Sequence, residues 1–243
     1  MSARKSRGKS QKFWVFLPMF LGTELCLWLA ILFFTSGLSS RLCSFFAILL
    51  AFLFGLRFFK PDADLLLLCS ALLFTVAADC FLVLPSKLEY RFQIVGTGLF
   101  CFTQIFYFLY LFFKTESKKM RIIHAVVRAC AVVLAEIAIV CVLQDDLDFL
   151  SVLSLFYVAN LAVSVVFAYM QGLERLPFAI GLTLFLCCDL FVGLSVAIGS
   201  YIHVAESSLL YKIVFADFNF VWFFYLPSQT LLATYVALQS EKK

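Results

Sequence analysis

Residues 64–84 read DLLLLCSALLFTVAADCFLVL, an apolar run that holds no glycine and no proline and is interrupted by Ser70, Thr75 and Asp79. Coiled as a helix at ~1.5 Å per residue, such a run reaches ~30 Å, the thickness of the hydrocarbon core of a bilayer. A soluble core helix has no use for that length of unbroken apolar surface. The run therefore reads as a membrane span, and the question becomes how many more there are and why this one carries an aspartate.

Cutting the chain at its charged and turn-forming clusters predicts eight spans: 13–34, 43–59, 64–84, 92–113, 122–143, 149–170, 178–199 and 214–238. The second is short and ends at the basic, proline-containing break RFFKPDAD (57–64), and the last opens on an interfacial helix in LLYKIVFADF (209–218). Composition agrees, since 64% of the chain is hydrophobic and 14% charged. A soluble domain is roughly 45–50% apolar and about a quarter charged. The expected fold is an all-α integral membrane protein, a bundle of eight transmembrane helices. Residues 1–12 form a basic tail, 13–238 a single transmembrane domain and 239–243 a second tail. The opening MSARKSRGKSQK resembles the start of a signal peptide. The apolar run behind it is too long for one and has no small-residue cleavage site, so a retained first helix is expected.

Orientation follows from the basic residues of the connections. With the N-terminus inside, 14 of the 19 Lys and Arg residues fall in inner segments and four in outer links, Arg128 lying within a helix. The outer link QDDLD (144–148) is acidic and the inner link KTESKKMR (114–121) basic. Both termini are expected on the cytoplasmic side. The net charge of +4 thus describes topology, and no nucleic-acid partner is implied. The nine cysteines sit mostly in apolar runs without C-x-x-C spacing, and the two histidines, His124 and His203, are far apart. Small packing residues explain the cysteines better than disulfides or a metal site. No metal and no cofactor is expected.

Ionisable groups inside a span are rare, and they face the bundle interior. The acidic ones here are Glu24, Asp79, Glu136 and Asp189, joined by the polar Gln104, Tyr107, Tyr225 and Gln229. Counted from the inner ends of their helices, most of them stand between ~14 and ~24 Å, within one layer from mid-membrane outward. The stretch around Asp79 has a counterpart in LTLFLCCDLFVG (182–193) around Asp189. These two helices run in the same direction, four spans apart, and each precedes a helix with a mid-membrane glutamine and a nearby tyrosine. A duplicated four-plus-four arrangement would generate this pattern. The plainer reading is that polar side chains hydrogen-bond neighbouring helices. Glu24 and Glu136 fit that reading, with Arg128 an indirect partner for Glu136 on the same helix. Tyr235 and Trp222 read as packing or interface residues.

The motifs resemble the YhhN family of eight-helix membrane proteins, which includes the lysoplasmalogenases. A small residue and Asp late in the third helix match Ala78-Asp79 in TVAADCFLVL. Glycine, phenylalanine and H-x-x-Y match GLFCFTQIFYFLYLFF, with Gln104 and Tyr107 in the last positions. The family's LF-x-x-SD matches LFLCCDLFVGL at Asp189, and its Y-x-x-A-Q-x-L matches FYLPSQTLLATY at Tyr225 and Gln229. The motifs occur in order from about 64 to 238. The chain departs from the pattern at Gln104, usually histidine, Ala78, usually glycine, and Cys188, usually serine. Losing the histidine removes a titratable group from the site.

The resemblance implies hydrolysis of the vinyl ether bond of 1-alkenyl lysophospholipids to a fatty aldehyde and a glycerophospho-headgroup. The residues suit this chemistry. No G-x-S-x-G elbow is present, and vinyl ethers cleave by acid: a proton goes to the alkene carbon, an oxocarbenium ion forms, water adds and the hemiacetal collapses. Two carboxyls perform these steps, one as general acid and the other orienting water or stabilising the cation. Asp79 and Asp189 are the expected catalytic residues, with Gln104, Tyr107, Tyr225 and Gln229 holding the carboxyls or the ether oxygen. The expected partners are a lysophospholipid substrate and membrane lipids, with a homodimer left open. The family likeness points to the endoplasmic reticulum membrane, or to the inner membrane in a bacterium. The rival readings are a lysolipid-binding protein without catalysis and a small-molecule transporter with a midplane polar site, for which Pro227 would supply a broken helix.

Overall fold

A computed structural model of the chain describes residues 2–201 and 204–242. His203 lies outside the described residues. Among those described the chain is helical, with no strand: α1 (Ser2–Phe33), α2 (Gly37–Arg57), α3 (Ala63–Leu82), α4 (Tyr90–Lys114), α5 (Lys118–Leu143), α6 (Phe149–Met170), α7 (Leu176–Ser200), a short α8 (Leu209–Val214) and α9 (Phe220–Lys242). Eight of these are long and apolar enough to cross a membrane, which makes the chain a multi-pass membrane protein. Helices are what such segments must form, because hydrocarbon offers no partner for an unpaired backbone N–H or C=O.

The ends of the helices carry their own signals. Asp62 caps α3 by accepting from the Asp64 amide at 3.0 Å, and Asp148 caps α6 through the Ser151 amide at 2.8 Å. Two spans differ from the expected bounds. The second begins at Gly37 instead of 43, since Gly37 takes a φ of +56° after an extended Ser36, and Arg41 is absorbed into the helix. A long arginine stem can lie along apolar surface, so the charge does not mark a link. The last span begins at Phe220, not 214. The Lys212 segment forms the separate α8, and the Asn219 side chain accepts from the Trp222 amide at 3.2 Å to start α9.

Packing sorts the helices into inner and outer. Half of the most apolar window of α3 and of α9 is buried, against 11% for α5. α9 lies at the centre, against α1, α2, α3 and α7; α3 pairs with α4, and α6 bridges α4, α5 and α7. Close approach is permitted where a glycine faces a neighbour. A Cβ on Gly181 would stand 3.0 Å from Leu232 and 3.4 Å from the Ser228 carbonyl oxygen, so α7 and α9 meet nearly backbone to backbone.

The outer helix α5 is held by a buried arginine. Arg128 is 7% exposed and donates to the Asn160 carbonyl (3.0 Å), Asn160 Oδ1 (2.9 Å), Ser164 Oγ (2.9 Å) and His124 Nε2 (3.1 Å). Its guanidinium lies 4.5 Å from the centre of the Phe108 ring. It does not pair with Glu136. Eight residues along a helix rise ~12 Å, whereas α6 presents three acceptors directly opposite. Lysine has one nitrogen and cannot span these partners as the planar fork does. Arg128→Lys is therefore expected to lower stability by about 1–2 kcal/mol, two interhelical hydrogen bonds and part of a cation–π contact. An unchanged unfolding midpoint in detergent would refute this.

Candidate active site

The structure brings the two aspartates into one cluster. Asp79, late in α3, is 2% exposed, and its Oδ2 accepts a hydrogen bond from the Tyr225 hydroxyl of α9 at 2.8 Å. Asp189, midway along α7, is half-buried, and its Oδ2 accepts from the Tyr157 hydroxyl of α6. The carboxyls interact electrostatically with each other, and Cys188 and Tyr225 interact with both. Each carboxyl thus has a phenol donor from a different helix, and the site is assembled from α3, α6, α7 and α9. An Asp in hydrocarbon is tolerated only where such partners face it.

Aromatic rings complete the walls. Phe185 lies 5.4 Å from Tyr225 and 6.3 Å from Tyr157 between ring centres, and Phe100 lies 5.6 Å from both Tyr157 and Phe185. Trp222 packs edge-on against Tyr225 at 5.3 Å. These contacts restrain the two tyrosines, whose only polar atoms point at the carboxyls. The same rings give the site largely apolar walls, which strengthens charge interactions inside.

The other expected residues lie deeper in the bundle. Gln104, Tyr107 and Gln229 are all buried, at 1%, 1% and 0% exposure. None bonds to either carboxyl: both amide atoms of each glutamine, and the Tyr107 hydroxyl, have no hydrogen-bond partner among the described residues. Of the two roles expected of them, holding the carboxyls or the ether oxygen, the first is not theirs among the described residues. Glu24 is apart from both groups, buried on α1 and 3.5 Å from the Thr230 hydroxyl. Glu136 sits on the outer helix α5, whose main neighbour is α6.

Two buried tyrosine contacts are not marked in the sequence. Tyr157 holds Asp189, yet in LFYVAN nothing separates it from the aromatic packing residues around it. Tyr235, read as packing, is 1% exposed and its hydroxyl bonds that of Tyr110 at 2.6 Å. A signal for the second existed. Thr103-Gln104 and Tyr110 on α4 stand at the same spacing as Ser228-Gln229 and Tyr235 on α9. A buried tyrosine repeated at that spacing has a polar end to satisfy.

Comparison with known protein families matches residues 39–236 to the YhhN family. No match was found among curated proteins or among solved structures.

Proposed function

The chain belongs to the YhhN family, and from that premise we propose that it is a lysoplasmalogenase-like hydrolase, cleaving the vinyl ether bond of 1-alkenyl lysophospholipids in an internal membrane such as the endoplasmic reticulum. The observation that carries this reading is the pair of carboxyls, each held by a tyrosine hydroxyl, with both tyrosines packed against the same Phe185 ring. Acid-catalysed hydration of an enol ether needs one proton donor and one group to handle water. It needs no activated serine.

The difference in exposure suggests the division of labour. Asp189 is half-buried and is the carboxyl a lipid chain sliding between helices would meet. In its acid form it gives its proton to the alkene carbon, leaving an oxocarbenium ion that its carboxylate stabilises. Asp79, sealed at 2% exposure, accepts a proton from water as the water oxygen bonds to that cation. The hemiacetal then breaks its bond to the glycerol oxygen, which takes the proton held by Asp79 and leaves as the alcohol, while the hemiacetal hydroxyl returns its proton to Asp189 as the aldehyde carbonyl forms. Atoms balance: one alkenyl ether and one water give one aldehyde and one glycerophospho-headgroup. Positioned acid–base groups contribute about 10²–10⁴-fold, and the desolvated site supplies electrostatic stabilisation of the cation.

The test is aldehyde release by the purified, detergent-solubilised protein. A 1-alkenyl lysophospholipid should yield fatty aldehyde and glycerophospho-headgroup in equal amounts, and a 1-acyl lysophospholipid should yield neither fatty acid nor headgroup. Tight binding of the alkenyl lipid without turnover would replace hydrolysis by lysolipid binding. Gln104, in place of the family's histidine, is the observation that favours this second reading. Flux of the lipid across vesicles without cleavage would identify a transporter.

A further inference from the structure

α4 and α9 carry matching polar stripes and, as the fourth and eighth spans, run in the same direction. Their hydroxyls meet at Tyr110–Tyr235, which sets both helices to one height. Six residues back, Gln104 and Gln229 both stand ~9 Å from that pair, and ten residues back Tyr225 reaches Asp79 at ~15 Å. α7 walls this column along its length. At one end the Phe178 ring lies 5.5, 5.4 and 5.2 Å from those of Tyr107, Tyr110 and Tyr235; at the other, Phe185 meets Phe100 and Tyr225.

At the heights between those ends α4 carries Gln104 and Tyr107 and α9 carries Ser228 and Gln229, with exposures of 0–1%. Among the described residues, both amide atoms of each glutamine and both hydroxyls are without a hydrogen-bond partner. Buried polar atoms in folded proteins nearly always have one. A carboxamide needs a ligand that donates as well as accepts, and so does a hydroxyl. Water, with two donors and two acceptors, meets these needs and typically makes about three such bonds when buried.

We infer that this layer binds water on its way from the Arg175 end of the bundle to Asp79, with the Tyr110–Tyr235 hydrogen bond as its gate. The site is independent of any reaction; its purpose, supplying the hydrolytic water, rests on the hydrolase reading. The geometry gives water a route the lipid does not use. Asp79 is sealed from the membrane face, while at the far end of the column Arg175 interacts electrostatically with both gate tyrosines. Arg175 is itself tied through Gln171 to the Leu111 carbonyl and Thr115, giving a polar mouth at the ends of α4 and α6. Lipid arrives beside Asp189 and water behind Asp79, so the two reactants enter from opposite sides of the carboxyl pair.

Radiolytic hydroxyl labelling tests the site without reference to activity. A brief X-ray pulse converts bound water to hydroxyl radicals in place, and mass spectrometry reads which neighbouring side chains are oxidised. Tyr107 should be labelled about tenfold faster than Phe54, a buried ring stacked on Phe20 in the apolar core, after correction for intrinsic reactivity. Gln229→Leu should lower the Tyr107 rate toward that of Phe54, and the smaller change Ser228→Ala should move it the same way if the leucine variant does not fold. Tyr235→Phe should raise it at least about twofold by opening the gate. Tyr107 labelled no faster than Phe54 in the wild type would show a dry layer and overturn the inference; an unchanged rate in folded Tyr235→Phe would remove the gate. Labelling as expected without aldehyde release would keep the water site and refute the hydrolase reading. Aldehyde release from a protein with a dry layer would do the reverse.

Discussion

Asp79→Asn and Asp189→Asn should each lower kcat for aldehyde release by about a thousandfold, in the middle of the range for loss of a positioned acid or base. Asparagine has the shape of aspartate, and its carbonyl oxygen can still accept from Tyr225 or Tyr157, so the fold and the tyrosine positions should survive. What is lost is the exchangeable proton. KM should change little, because neither carboxyl is needed to hold the lipid chain. The double variant should be no slower than about the worse single one, since groups acting in one step are strongly non-additive. Circular dichroism and the unfolding midpoint serve as controls. Full activity in either folded variant would remove that aspartate from the chemistry, and full activity in both would refute the mechanism.

The fold was legible in sequence wherever hydropathy alone decides it. All eight spans were, because a bilayer leaves a long apolar run little alternative to a helix. Legibility fails at the edges, where a charge does not mark a boundary. Arg41 lies inside α2, and the Lys212 segment is a helix of its own ahead of α9. A lone charge at a helix end has water or a headgroup within reach, so it terminates nothing. Capping side chains such as Asp148 mark the ends better, since they answer to unpaired amides.

Within the site, visibility tracked how costly a residue is to bury. Asp79 and Asp189 stood out because a carboxyl in hydrocarbon costs about 2.5–3.5 kcal/mol on insertion scales. Tyr157 did not, because a tyrosine among phenylalanines is inexpensive to bury and betrays its partner only in three dimensions. Arg128 is visible as a charge but not in its pairing, because its partners Asn160 and Ser164 are two ordinary-looking polar residues on another helix, α6. Gln104 and Gln229 were recognised as polar and central. Their separation from the carboxyls was not legible, because it depends on how α4 and α9 are rotated against α7.

That rotation is held by the α7–α9 contact, and Gly181→Val should expose the dependence. The added Cβ would meet Leu232 at 3.0 Å and the Ser228 carbonyl oxygen at 3.4 Å, and valine brings two further methyls. Leu232 can turn aside, but Ser228 O is backbone and moves only with α9. Overpacking of this kind typically costs 1–3 kcal/mol, so a loss of about 2 kcal/mol is expected. The change should reach the chemistry as well. α9 carries Tyr225 to Asp79 and α7 carries Asp189, so a shift between them separates the two carboxyls and stretches the 2.8 Å bond that holds one of them. Activity should fall further than the folded fraction does, by about tenfold per ångström of displacement or more. Gly193→Val on the same helix is the control, since its Cβ would meet nothing within 4 Å. Equal midpoints and equal turnover in the two valine variants would show that the α7–α9 contact does not set the geometry of the site.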